Sequence, residues 1–259
     1  MSFIDLFSNQ AALYASARPT YPEALFDFVV SQAPSMERAW DCATGSGQAA
    51  IGLARRFREV EATDASAAQI ANATPCSGVR YSVHPSERTE FAAASFDAVC
   101  VAQALHWFDL ATFFGEVSRV LKVGGVFAAW GYDWLSVDPA FDEDFQRSVL
   151  DVVASRWAPQ NAQLWNGYRD VTLPFERIEP PAVPMQMTWT FPQLLAYVHT
   201  WSAVRQCLAE SGRDFFDRAE ARLAPRWGEP SARRAVSFRS HVIAGRKSGD
   251  RLAPHADPD

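Results

Sequence analysis

The chain has 259 residues, 48% of them hydrophobic, enough to bury a full core in one sheet-based domain. Its formal net charge of −6 provides no long-range positive field, so nucleic acid and anionic membrane surfaces are not expected partners. Five separated histidines and four cysteines without CxxC spacing offer no metal-ligand pattern, and no metal is expected.

Cys42, Cys76, Cys100 and Cys207 each lie in or beside apolar stretches and read as buried free thiols of a reducing compartment. The opening MSFIDLFSNQ has neither a basic leader nor an apolar signal core, and no apolar run reaches the length of a membrane span. A cytoplasmic protein is expected.

In chain order, a helix is expected from Tyr21-Pro22, with proline in its first turn. Between Arg38 and Tyr132, β-prone runs at 39–43, 59–63, 79–83, 96–102 and 125–131 alternate with helical ones, the mark of a parallel sheet covered on both faces. The clearest helix spans 110–121, with Leu110, Phe113, Phe114, Val117, Val120 and Leu121 at helical spacing and Gly124-Gly125 as its stop. From Asp133 proline and tryptophan become frequent, and 133–182 reads as an inserted cap. A β-prone run follows at Met185 to Thr190, then an amphipathic helix from Pro192 to Leu208 and a closing strand from Ala235 to Arg246. Residues 1–248 are expected to form one α/β domain, and 249–259 a disordered tail.

The stretch Asp41-Cys42-Ala43-Thr44-Gly45-Ser46-Gly47-Gln48 follows a predicted strand and opens a predicted helix, where bare glycines let backbone approach a bound nucleoside. Gly45, Gly47 and Ala50 also satisfy a relaxed GxGxxA dinucleotide pattern, with Asp64 as its ribose partner. Asp41 separates the two ligands: a carboxylate there attracts the ammonium of a methionine moiety and repels a pyrophosphate. Asp64, ending the next strand, can accept both hydroxyls of a ribose. Each acid alone also fits a turn or helix-capping role; the pair at this spacing points to S-adenosylmethionine.

The runs DCATGSGQAAIGLARRF, ATDAS, FDAVCVAQALHWFD and VLKVGGVFAAWGY resemble the class I S-adenosylmethionine-dependent methyltransferases. With YASARPTYP before them and YVHTWSA after, they are similar to the branch that includes fungal trans-aconitate methyltransferase. The resemblance spans Tyr14 to Arg246. It implies a doubly wound, Rossmann-like, seven-stranded and mostly parallel sheet whose last strand runs antiparallel, with cofactor across the carboxyl ends of the first strands. It implies further that Asp41, Ala43, Gly45 and Gly47 hold the methionine end, Asp64 the ribose with Ala65 beside it, and Ser86-Glu87 the adenine. The sequence departs from the pattern at His84-Pro85, where Gly-Asp is frequent, at Ala43 in place of a glycine, and at Val123 in place of a proline.

Methyl transfer from a sulfonium is an in-line displacement that asks for alignment and exclusion of water, and for few catalytic side chains. His106, after the fourth strand, is the base candidate, with a packed turn histidine as the alternative. Gln103 is a candidate contact for the methionine end, and Tyr132, placed just beyond the fifth strand, for the acceptor pocket. Trp107 is a second acceptor candidate, although it and Trp130 fit core packing as well. Tyr14 and Arg18 lie four apart and are candidates to close over the cofactor and clamp a carboxylate, or to stack at the surface. Tyr197, Trp201 and Arg205 recur at four-residue spacing beside Ser202. By resemblance that stretch covers the acceptor site, and by periodicity it docks an aromatic face into the core.

The expected function is methyl transfer from S-adenosylmethionine to a small molecule, which the resemblance makes a carboxylic acid. Two alternatives remain at this level: a nicotinamide-dependent oxidoreductase, resting on GxGxxA and Asp64, and a silent cofactor-binding module.

Overall fold

The computed structural model of the chain describes residues 19–249. Within them the chain divides into two compact units. One comprises Tyr21–Tyr132, Gln163–Val183 and the segment from Ser240; the other Asp133–Ala162 and Pro184–Arg239.

The strands with residues in the first unit are β1 (Arg38–Cys42), β2 (Glu59–Asp64), β3 (Val79–Val83), β4 (Phe96–Ala102), β5 (Leu121–Ser136), β6 (Glu176–Ile178) and β8 (Arg234–Arg246), ordered β3-β2-β1-β4-β5-β8-β6. The pairs β1/β2, β1/β4, β2/β3 and β4/β5 are parallel, and β6/β8 is antiparallel. This is the expected doubly wound, mostly parallel sheet, with eight strands among the described residues instead of the expected seven, since a further strand pairs with β8. Its helices are α1 (Glu23–Gln32), α2 (Gln48–Ala54), α3 (Ala67–Ala71) and α4 (Leu110–Val120).

Strand alternation distributes the core over two faces. Trp40, Val99, Val101 and Phe127 pack with Phe113, Phe114 and Val117 of α4. The opposite face presents mostly small side chains, Ala39, Ala62, Ala98, Cys100 and Ala128, which let α1 and α2 approach through Leu25, Phe26, Val29, Ala50 and Leu53. Gly52 of α2 is part of that closeness, since a Cβ there would lie 2.2 Å from the ring of Phe26. Beneath the sheet, the buried carboxylate of Asp97 accepts from Ser35 Oγ, the Arg38 amide and Lys122 Nζ.

Three expectations need correction here. Gly124-Gly125 does not cap α4: the chain passes from Val120 straight into β5, and the glycines lie in an irregular stretch where the β4/β5 register shifts. Gly124 takes φ +79°, which suits a bulge. Tyr132 lies inside β5, which continues to Ser136. Cys76 is only half-buried, whereas Cys42, Cys100 and Cys207 are buried as expected.

The second unit holds β7 (Met185–Trp189), paired antiparallel with Arg234–Phe238 of β8, and helices of which three pack by aromatic side chains and one by Ala203, Val204 and Cys207. They are α5 (Pro139–Phe145, continued by a π-helical turn at Gln146–Leu150), α7 (Phe191–His199), α8 (Ser202–Ser211) and α9 (Asp214–Trp227), with α6 (Asn161–Trp165) running from this unit into the other. The single helix expected from Pro192 to Leu208 is broken. The Thr200 hydroxyl bonds the Tyr197 carbonyl and Trp201 adopts an extended backbone, a local competition with helical bonding that sequence periodicity does not register. The long α9, with Pro225 in its last turn, was not expected.

Asp144 of α5 accepts from both Arg222 and Arg226 of α9, each at 2.7 Å. Both arginines are half-exposed, so solvent screens the pairs. Asp144→Ala is expected to lower Tm by a few degrees or less in thermal denaturation. No helix among the described residues is long and apolar enough to cross a membrane.

Candidate active site

Asp41 stands in β1 on the face shared with Ala39, fully buried. Thr44, three residues on, donates its hydroxyl to Oδ2 at 2.5 Å, whereas Oδ1 has no hydrogen-bond partner among the described residues. Burial pushes this carboxyl up to about 7 and the charge of Asp64 adds to the shift; the Thr44 hydroxyl and the nearby Ala50 amide, which does not reach bonding geometry, oppose it. A buried half-satisfied carboxylate is costly in isolation. It is matched to a ligand that brings a cation.

The loop after β1 turns on left-handed residues: Ala43 at φ +56°, Gly45 at +57° and Gly47 at +87°. Ala43 therefore holds a conformation that glycine adopts freely, at a local cost of about 1 kcal/mol. A Cβ at Gly45 would meet nothing within 4 Å, so open space faces that residue. Gly47 differs: its missing side chain makes room for Tyr81, whose Oη would lie 2.3 Å from a Cβ, and this contact by itself accounts for the glycine.

Asp64 ends β2 with its two oxygens oriented by backbone, Oδ2 accepting from the Gly45 amide at 3.0 Å and Oδ1 from the Ser66 amide at 2.8 Å. Each oxygen keeps acceptor capacity for a hydroxyl. Ser66, not Asp64, caps α3, accepting from Gln69 N. Ala65 is exposed beside it. Ser86 and Glu87 are half-buried beyond β3, and the Glu87 charge contributes to raising the buried Cys42 thiol.

At the end of β4, Gln103 adopts φ +59° and its carboxamide is engaged with β5: Oε1 accepts from the Tyr132 amide at 3.1 Å and Nε2 donates to the Tyr132 carbonyl at 3.0 Å. A Cβ at Gly131 would lie 2.6 Å from Oε1, so that glycine admits the brace. Gln103 thus serves first to hold Tyr132, a role that strand-end position alone did not reveal. Three residues on, His106 sits in a 3-10 turn, 7% exposed, with Nδ1 unpartnered among the described residues. Burial pushes its imidazolium down to about 4, so the ring is neutral at physiological pH. Trp107 packs against it with centroids 4.8 Å apart, yet is 52% exposed and so not a core residue.

Three further predicted residues belong to the second unit. Trp201 packs among Trp157, Tyr197, Phe145 and Trp134 at 5.7–6.5 Å, all within the second unit, while Ser202 and Arg205 are exposed on α8. The break before α8 removes the continuous helix that would have aligned the three. Tyr14 and Arg18 lie outside the described residues.

The first unit thus brings together, at the carboxyl ends of β1, β2 and β4, a cation-seeking buried carboxylate, an oriented diol-accepting carboxylate and an open glycine turn. These fit the methionine and ribose parts of S-adenosylmethionine. Residues 40–129 match a family model described as a methyltransferase domain. A solved structure from Anaeromyxobacter dehalogenans, assigned as a type II methyltransferase, is 38% identical, with 90% of this chain and 99% of that one covered at a TM-score of 0.84. A Dictyostelium discoideum protein assigned as a methyltransferase is 27% identical over 216 residues, 82% of each chain. A methyltransferase of Aspergillus candidus is 30% identical over 163 residues, 55% of this chain and 51% of its own. Site chemistry, sheet order and this full-length similarity agree, and the chain belongs to the class I S-adenosylmethionine-dependent methyltransferases.

Proposed function

We propose that the chain methylates a small carboxylic acid on oxygen, in a cytoplasmic setting that its buried free thiols favour. The bound cofactor supplies an electrophilic methyl group on a sulfonium, which leaves as a neutral thioether. Asp41 takes the ammonium of the methionine moiety, Asp64 the ribose hydroxyls, the Gly45 turn the approach of the nucleoside, and Ser86-Glu87 the adenine. Tyr132, held by Gln103, and Trp107 border the acceptor.

The observation that carries the acceptor class is the state of His106. A buried neutral imidazole titrating near 4 has little proton affinity, so it is a poor base for a phenol or an ammonium. A carboxylate needs no base, since it is already ionised and nucleophilic at neutral pH. His106 then orients the acceptor through a hydrogen bond at Nδ1 and helps exclude water. The resemblance to the trans-aconitate branch supports the same class.

His106→Ala is expected to lower turnover on an acid acceptor roughly tenfold or less at saturating cofactor. The loss should be the same at pH 6 and pH 8, because the wild-type ring stays neutral across that interval. Labelled-cofactor turnover on a panel of acids, phenols and amines checks it. Losses of about 10² to 10⁴ on a phenol or amine, with a pH-dependent limb that vanishes in the variant, would overturn the carboxylate reading.

A further inference from the structure

We infer that Trp130 is a ligand-binding residue whose indole N–H receives the carboxylate of the cofactor's methionine moiety, opposite Asp41, which takes its ammonium. The inference rests on the cofactor assignment above and adds to it a residue that packing alone would leave in the core.

Trp130 is 2% exposed, and its Nε1 is buried with no hydrogen-bond partner among the described residues. Buried indole N–H groups ordinarily find an acceptor. Trp40 in this sheet does so, donating to Thr63 Oγ1 at 2.9 Å. The Trp130 ring is fixed by edge contacts, with Tyr21 at 5.8 Å and 79° and Phe26 at 6.0 Å and 86°. Phe26 is itself seated over Gly52 of α2.

Register places Trp130 relative to Asp41. Asp41 pairs with Cys100 of β4, Cys100 with Ala128 of β5, and Ala102 with Trp130. Asp41 and Trp130 therefore share one face, two strands apart and two residues offset, about 12 Å between Cα atoms. Between the two, the intervening strand presents on that face the small side chains of Cys100 and Ala102. An α-amino acid head carries a cation and an anion on adjacent atoms. Across this face the structure presents one buried acceptor without a donor and one buried donor without an acceptor, the complement of such a zwitterion.

The test compares S-adenosylhomocysteine, which has the amino acid head, with 5′-methylthioadenosine, which lacks it. Trp130→Phe keeps an aromatic ring and removes the N–H. It is expected to weaken S-adenosylhomocysteine about tenfold by calorimetry and to leave 5′-methylthioadenosine unchanged. In wild-type protein the Trp130 indole ¹H–¹⁵N resonance should move downfield with the first ligand and stay with the second, a reading that does not depend on the variant's stability. Equal effects on both ligands, or an indole signal indifferent to both, would overturn the inference and leave the cofactor assignment intact. Failure of wild-type protein to bind either ligand would overturn both.

Discussion

Asp41→Asn is expected to weaken S-adenosylhomocysteine about 10²-fold and at the same time to stabilise the ligand-free protein above pH 7. The first effect follows from leaving the ligand's ammonium against a neutral amide in a buried position, a loss of about 3 kcal/mol. The second follows from linkage. An aspartate titrates near 3.9 in the unfolded chain and near 7 here. Between those values the folded state holds the extra proton, so stability falls as pH rises and the loss is complete above about 7. The whole interval corresponds to at most on the order of 4 kcal/mol, and asparagine has no such dependence. Thermal denaturation at pH 5 and pH 8, with calorimetry at pH 8, separates the effects. Identical pH dependence in the two proteins would show that Asp41 does not titrate as described, and unchanged affinity would remove it from the methionine site.

Asp64→Ala is expected to cost on the order of 2–4 kcal/mol of cofactor affinity, through two charge-assisted hydrogen bonds to the ribose hydroxyls. The geometry adds a second route. Asp64 also receives the Gly45 amide, so its removal loosens the turn that faces the nucleoside. Asp64→Asn keeps an acceptor for that amide and should recover part of the affinity, which separates turn support from ribose binding. A folded Asp64→Ala protein that binds S-adenosylhomocysteine as tightly as wild type would end the ribose assignment.

Both acids, and the glycine turn between them, were legible in the sequence because their chemistry is local. A strand-end carboxylate, a Gly-x-Gly turn and a second carboxylate nineteen residues beyond Gly45 lie within one β-turn-α-β unit, whose strand and helix periods are readable directly. The hydroxyl of Thr44 on Asp41 belongs to the same class of signal, three residues away, and could have been read there. Gly47 shows the limit. Sequence assigns a glycine to a ligand by position and does not register that Tyr81 from β3 fills the space beside it, a contact set by sheet order.

What the sequence by itself determined is the α/β class, the strands of the parallel half within a residue or two at most boundaries, and the cofactor, with Asp41, Gly45 and Asp64 as the candidates to hold it. Alternation and turn residues encode these over short distances. What only the tertiary structure decided involves groups far apart in sequence. Gln103 braces Tyr132 across twenty-nine residues. His106 is neutral because of what buries it, not because of its neighbours in the chain. The helix expected to carry Trp201, Ser202 and Arg205 is broken by a Thr200 side chain that bonds backbone instead of continuing the turn. Trp130 reads as core from its composition, and it is the pairing of β1, β4 and β5 that sets its unsatisfied N–H on the same face as the unsatisfied oxygen of Asp41. Burial and strand register are properties of the assembled sheet, and no window along the chain contains them.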